Sequence, residues 1–326
     1  MNLARRHILA TALAAIVLGG GSAFALGYPV KPVTIVVAYP PGGDTDSMAR
    51  MYAEKLSVRL KQPVIVENKP GAGGVVGNAM VGRAPADGYT LLFTPNPFTT
   101  APMVLKLPAS SSYDALHGFT PVIQTGTQTV LLVAYPGAGI KTVQEMVAAA
   151  KAGKPLTYAS PGAGSPMHIA GEWLNRAAGV KIQHVPYRGV APAVNDVVAG
   201  HVNFAYVTLG PVAQYINTGK LLALAVTDPQ RSPLLPNVPT LSELGYKDVI
   251  VGAWHGVMAP KGTPADVVKL LNEQLNDIVK MPDIAEKMAT FGAVPVGGAP
   301  GVLERINASD YERLGKVIKD FGITAE

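Results

Sequence analysis

The residues best placed to do chemistry lie in two glycine-rich turns far apart in the chain. The first is Tyr39-Pro40-Pro41-Gly42-Gly43-Asp44-Thr45-Asp46, and the second is Ser160-Pro161-Gly162-Ala163-Gly164-Ser165 with His168 close behind. Each follows an apolar run, Val33 to Ala38 or Leu156 to Ala159, and each leads into a helical pattern. In the first helix Met48, Tyr52, Leu56 and Leu60 share one face; in the second Ile169, Trp173 and Ala177 do. Hydroxyls at the helix starts suit N-caps, and glycine lets a ligand approach the backbone closely. A helix start also carries free N–H groups and the positive end of the helix dipole, so it attracts anions. Either turn alone is an ordinary strand-to-helix connection. As a pair in separate α/β units, they suggest two lobes gripping one small anion.

Elements of matching type must position these turns. Strand patterns at 64–68, 89–93, 130–134, 202–207 and 221–227 alternate with helical patterns near 75–83, 142–151, 191–199 and 211–218. That alternation predicts parallel sheets with covering helices. The strand at 89–93 ends in Thr94-Pro95-Asn96, a polar tip that could also face the anion site. Pro95 to Ser112, rich in Pro, Ser and Thr, reads as a long surface connection. Thr263, Pro264 and Asp266 read as cap, first position and third position of a helix carrying Val267, Leu270, Leu271 and Ile278 inward, with a last helix near 301–319.

Composition excludes several classes. With 48% apolar and 15% charged residues in 326, the chain can bury a large core, and its 35 Gly and 28 Pro are spread one or two per turn. The absence of cysteine removes disulfides, zinc–thiolate centres and cysteine nucleophiles. Residues 1–25 read as an export signal: Arg5-Arg6, an apolar run from Ile8 to Leu18, and Ala23-Phe24-Ala25 as the cleavage site. Arg5-Arg6 hints at twin-arginine export, but His7 and Ile8 complete that motif poorly. The formal charge of +5 falls to +3 without those two arginines, too slight for a nucleic-acid partner. No later run is long and apolar enough to span a bilayer, so a soluble exported protein is expected.

Other chemistry fits poorly. Lys69 to Gly74 resembles a dinucleotide turn, but Val76 occupies the position where the third glycine belongs. Gly137 to Thr142 lacks the spacer of a P-loop. Ser160, Ser165 and His168 raise a hydrolase reading, yet there is no G-x-S-x-G elbow, and His168 reads as a packed residue in the first helical turn. No H-E-x-x-H or similar cluster suggests a metal, and no cofactor is expected.

Blocks in order along residues 28–326 resemble the substrate-binding proteins of the tripartite tricarboxylate transporter family, the Bug proteins. They are Tyr39 to Gly43 with Asp46 and Ala49-Arg50; Val66 to Gly74; Ala86 to Leu92; and Ser160 to Ser165 with His168. They continue with His184 to Gly189; Leu224 to Thr227; Leu235 to Thr240; Trp254 with Gly256; and Ala259 to Pro264. The resemblance implies a two-lobed α/β fold of the type II periplasmic binding class, two parallel-sheet domains joined by two crossovers. Lobe 1 would comprise 28–127 plus 254–326, and lobe 2 128–253. It further implies a monomer, not an enzyme, that delivers a small carboxylate to the membrane components of a transporter or, alternatively, to a sensor kinase. Implied ligand contacts are Tyr39, Pro41, Gly42, Gly43, Asp44, Thr45, Asp46, Thr94, Asn96, Ser160, Gly162, Ala163, Gly164, Ser165, His168, Tyr187, Val207 and Thr208.

Two positions depart from the family pattern. Asp44 replaces a small neutral residue, which suggests contact with a donor or cationic group on the ligand, or simply a solvated helix-start acid. Val207 stands where many members carry Asp, which, with Tyr39 and Tyr206 near, favours an apolar or aromatic ligand body.

Overall fold

The computed structural model describes residues 27–324 except 107 and 109–111, so the expected export signal lies outside the described residues. Two sheets organise the chain. The first has the order β11-β4-β10-β3-β1-β2. Its strands are β1 (Val33–Val37), β2 (Val64–Asn68), β3 (Thr90–Pro95), β4 (Phe119–Gln128), β10 (Ala253–Pro260) and β11 (Ala293–Pro295). The second has the order β7-β6-β8-β5-β9. It contains β5 (Val130–Ala134), β6 (Thr157–Ser160), β7 (Gln183–Pro186), β8 (Phe204–Thr208) and β9 (Leu222–Val226). The chain passes from the first sheet to the second at Thr129 and returns between Val226 and Ala253.

The sheets are mixed, which corrects the expectation of two parallel sheets. β1 runs parallel to β2 and β3, and β6 parallel to β7 and β8. However, β10 is antiparallel to β3 and β4, β11 to β4, and β5 to β8 and β9. The physical reason is connectivity. Parallel neighbours need a crossover helix, whereas β5 and β10 arrive straight from the other sheet.

Helix α1 (Asp44–Leu60) covers the first sheet as its periodicity predicts, with Met48, Tyr52 and Leu56 fully buried beside Ile35, Phe93 and Leu271. The stretch expected as a loop contains a helix, designated here α3 (Pro97–Val104), which follows α2 (Val75–Gly82). Pro97 sits at its first position, where no N–H is needed. Pro102, within the helix, deprives the Phe98 carbonyl of its usual donor, and the Tyr113 hydroxyl takes that place at 2.6 Å.

The remaining helices are α4 (Val143–Lys151), α5 (Pro166–Ala178), α6 (Val190–Ala199), α7 (Ala213–Asn217), α8 (Ala265–Val279), α9 (Pro282–Thr290) and α10 (Pro300–Phe321). Thr263 does not cap α8; its hydroxyl donates to the Pro260 carbonyl, and Pro264 occupies the cap. Helix α10 joins both cores. Leu303 packs with Leu92 and Trp254 beside the first sheet, while Leu314, Val317 and Ile318 pack with Leu132, Ile169 and Phe204 beside the second.

Candidate functional site

The first glycine-rich turn is held from beneath. Asp46, almost fully buried, accepts from the Gly42 N–H at 2.8 Å, from Arg50 Nε at 3.0 Å and from Asn68 Nδ2 at 2.8 Å. Burial opposes its ionisation, but the Arg50 hydrogen bond, the Gly42 N–H, Asn68 and the Arg50 charge together hold its carboxyl below the usual range. Asp46 therefore braces the turn, with its oxygens occupied by the protein. Gly42 takes φ +85°, a conformation open to glycine. Gly43 is the N-cap of α1 and offers no side-chain acceptor, so the first-turn N–H groups of that helix are left without a cap. The expected hydroxyl cap is thus absent here.

The second turn is built differently. Ser165 caps α5, accepting from the His168 N–H at 3.2 Å while its own hydroxyl donates to the Gly162 carbonyl at 2.7 Å. Pro166, the next residue, has no N–H to offer. The Gly164 N–H donates to His168 Nδ1 at 3.1 Å, and Gly162 N–H reaches Ser160 Oγ at 3.3 Å. His168 stacks on His184 with ring centroids 3.9 Å apart, and His184 Nε2 lies 2.7 Å from Ser160 Oγ. Burial holds the His168 imidazole down at about 4; burial and then the neighbouring His168 hold His184 at about 3. Two neutral rings thus form the backing of the second turn. Much of its donor capacity is spent inside the protein, whereas the first-turn N–H groups of α1 have no side-chain cap.

The halves meet close to these turns. Thr100 Oγ1, on α3, donates to the Gly164 carbonyl at 2.7 Å. Gly164 takes φ +76°, and a Cβ there would lie 3.1 Å from Val104 Cβ, so glycine answers both the turn and the close packing of α3. Across the crossing, Thr208 Oγ1 at the end of β8 approaches Asp44 Oδ2 at 3.5 Å. Asp44 is half-buried; burial raises its pKa, and hydrogen bonds from Gln128 and Thr208 partly oppose the rise. Thr45 Oγ1 lies 3.5 Å from Nε2 of His255, a buried ring stacked on Phe93 whose Nδ1 has no partner among the described residues.

Several residues named from sequence face other work. The Tyr39 hydroxyl donates to the Gly73 carbonyl at 3.0 Å. Thr94 is fully buried and donates to the Pro95 carbonyl, and Asn96 ties the start of α3 to the Gly252 carbonyl at 2.8 Å. Tyr187 donates to Asp196 at 2.6 Å; burial and then that carboxylate raise it to about 12. Val207 is fully buried among Leu131, Val194 and Val226, so it fills a core rather than a surface. Its neighbour Thr208, on the opposite face of β8, is the one that meets Asp44. Gln128, His184, His255 and Thr100 were not legible as site residues. His184 stood inside a matching block, while Gln128 and His255 are single polar positions in apolar strands that only pairing brings to α1.

Two mixed-sheet α/β halves joined by two chain crossings, with Asp44 at the start of α1 meeting Thr208 of the second sheet and the Gly164 turn meeting α3, have the architecture of two-lobed solute-binding proteins. The chain belongs to the tripartite tricarboxylate transporter family receptors, TctC, whose family model matches residues 48–323. That family is one of periplasmic solute-binding receptors. The chain is 33% identical to the periplasmic binding protein BugD, with a TM-score of 0.81 over 92% of this chain and all of that one. It is 31% identical to a structure from R. palustris with adipate, at a TM-score of 0.83 over 91% of this chain and 99% of that one. It is 30% identical to MatC from Rhodopseudomonas palustris with bound malate, at a TM-score of 0.80 over 89% of this chain and all of that one.

Proposed function

We propose that this receptor captures a small organic carboxylate between two lobes and hands it to the membrane components of a tripartite transporter. The lobes are residues 28–127 plus 254–326, and 128–253, with α3 and α10 packed across both. The observation that carries the reading is the uncapped start of α1 beside Thr45, set against Thr208 of the second sheet, while the second glycine-rich turn is held against α3 by Thr100. Relatives of this architecture hold adipate and malate, both dicarboxylates. The ligand contacts are Pro41 to Thr45, Gly162 to Ser165 and Thr208; Asp46, Tyr187, the buried Ser160 and the stacked histidines support them from behind. The protein acts as a monomer, cleaved after Ala25 on export.

Binding without turnover fits the geometry. Ser160 and His184 lie at the distance of a nucleophile and its base, but Ser160 is fully buried, and no carboxylate orients His184 among the described residues. Titration calorimetry against a panel of mono- and dicarboxylates, malate and adipate included, tests the reading. At least one should bind in the micromolar range or tighter and be recovered unchanged. A panel without a binder, or an acid consumed on incubation, would overturn it.

A further inference from the structure

We infer that Asp44 selects for a ligand that carries a protonated amino group beside its carboxylate, that is, an amino acid rather than a plain organic acid. This inference rests on the carboxylate reading above and names the substrate class within it.

The argument starts from what surrounds Asp44. Its carboxyl is half-buried at the first position of α1, and its hydrogen-bond partners are the neutral side chains of Gln128 and Thr208. The Thr208 contact is long, at 3.5 Å, and the Gln128 amide also serves the Phe291 carbonyl at 2.8 Å. Among the described residues, no lysine or arginine pairs with Asp44. By contrast, Asp46, two residues on, has Arg50 and two further donors. A half-buried carboxylate with weak neutral partners is an incomplete arrangement, and a cation completes it.

The neighbouring groups narrow the choice. Thr45, Thr208, Gln128 and His255 are neutral, and His255 stays neutral because burial holds its ring at about 3. A plain carboxylate at the α1 start would meet Asp44 as a like charge in a partly desolvated site. An amino acid carries both signs on one carbon. Its carboxylate can take the first-turn N–H groups while its ammonium reaches the Asp44 carboxyl in the same turn. Asp44 also touches Thr208 from the other sheet, so a ligand ammonium held there sits where the two halves meet.

The test uses matched acids that differ only in the amino group: aspartate with succinate, glutamate with glutarate, and phenylalanine with 3-phenylpropionate. Calorimetry on the mature protein should show the amino member of at least one pair binding about tenfold to a hundredfold tighter than its partner, the worth of one charged hydrogen bond. Asp44→Asn should erase that preference, weakening the amino acid and tightening the plain acid. Thr208→Val, which leaves the Asp44 charge in place, should weaken both members of the pair alike and keep the preference. A preference for the plain acid in the natural protein, or one for the amino acid that survives Asp44→Asn, overturns the inference. If succinate, glutarate or 3-phenylpropionate binds and no amino acid does, the carboxylate function stands and only the inference falls. If no member of any pair and no acid of the wider panel binds, both fall.

Discussion

Lowering the pH from 7 to 5 should destabilise the free protein, and the structure sets the size. His168 and His255 are both almost fully buried, with pKa values held by burial at about 4 and about 3 against an ordinary 6.5. Below pH 6.5 the unfolded chain therefore binds protons that the fold refuses. Their stabilisation is complete above that value and declines until the folded pKa is reached. At 1.36 kcal/mol per unit, each ring forfeits about 2 kcal/mol between pH 7 and pH 5. Asp228 acts with the opposite sign. Burial lifts its carboxyl to about 7 from 3.8, and its Oδ2 has no partner among the described residues. The fold therefore binds a proton there between those two values, which returns about 2 kcal/mol as the pH falls to 5. The net loss from these three groups is about 2 kcal/mol, and His184, also depressed, adds to it. Urea unfolding at pH 7, 6 and 5, followed by the fluorescence of Trp173 and Trp254, measures the trend. Asp228→Asn should steepen the loss by about 2 kcal/mol over that span, and His255→Gln should flatten it by a similar amount. Three parallel lines of stability against pH would refute the reasoning.

Further outcomes follow from the two turns. Asp46→Ala strands Arg50, Asn68 and the Gly42 N–H, and should cost about 2 kcal/mol in urea unfolding while weakening ligand binding. Ser165→Asp keeps an N-cap acceptor but loses the hydroxyl donated to Gly162, so the free protein should lose about 1–3 kcal/mol. The same substitution should abolish ligand-induced stabilisation, which for the natural protein is about 2.7 kcal/mol at a hundredfold excess over Kd; an undiminished thermal shift with a bound carboxylate would argue against the second turn as a ligand contact. Saturating ligand should make the protein more compact in solution scattering, and superimposable curves would argue against lobe closure. Edman sequencing of exported material should begin at Leu26; a mature terminus that retains residues 8–18 would contradict cleavage after Ala25.

What the sequence determined by itself is local. Apolar periodicity placed α1 and its buried face, Met48, Tyr52 and Leu56, because a helix repeats its side-chain direction whatever it packs against. The turns at 39–46 and 160–165 were visible for the same reason, since glycine, proline and hydroxyl residues specify their conformation within a few positions. Matching blocks then fixed the family. Helix α3 escaped notice because its two prolines look like loop residues until Tyr113, from a later segment, supplies the donor that Phe98 lacks. Strand direction escaped because it depends on where a strand arrives from, and β5 and β10 arrive from another sheet. The distinction between Asp44 and Asp46 is of the same kind. Two acids in one turn read alike along the chain, yet Arg50 and Asn68 occupy one, while Gln128 and Thr208, brought from distant strands, leave the other without a counter-charge. Only the tertiary structure decides which carboxyl is satisfied, because burial and charge pairing are set by neighbours in space.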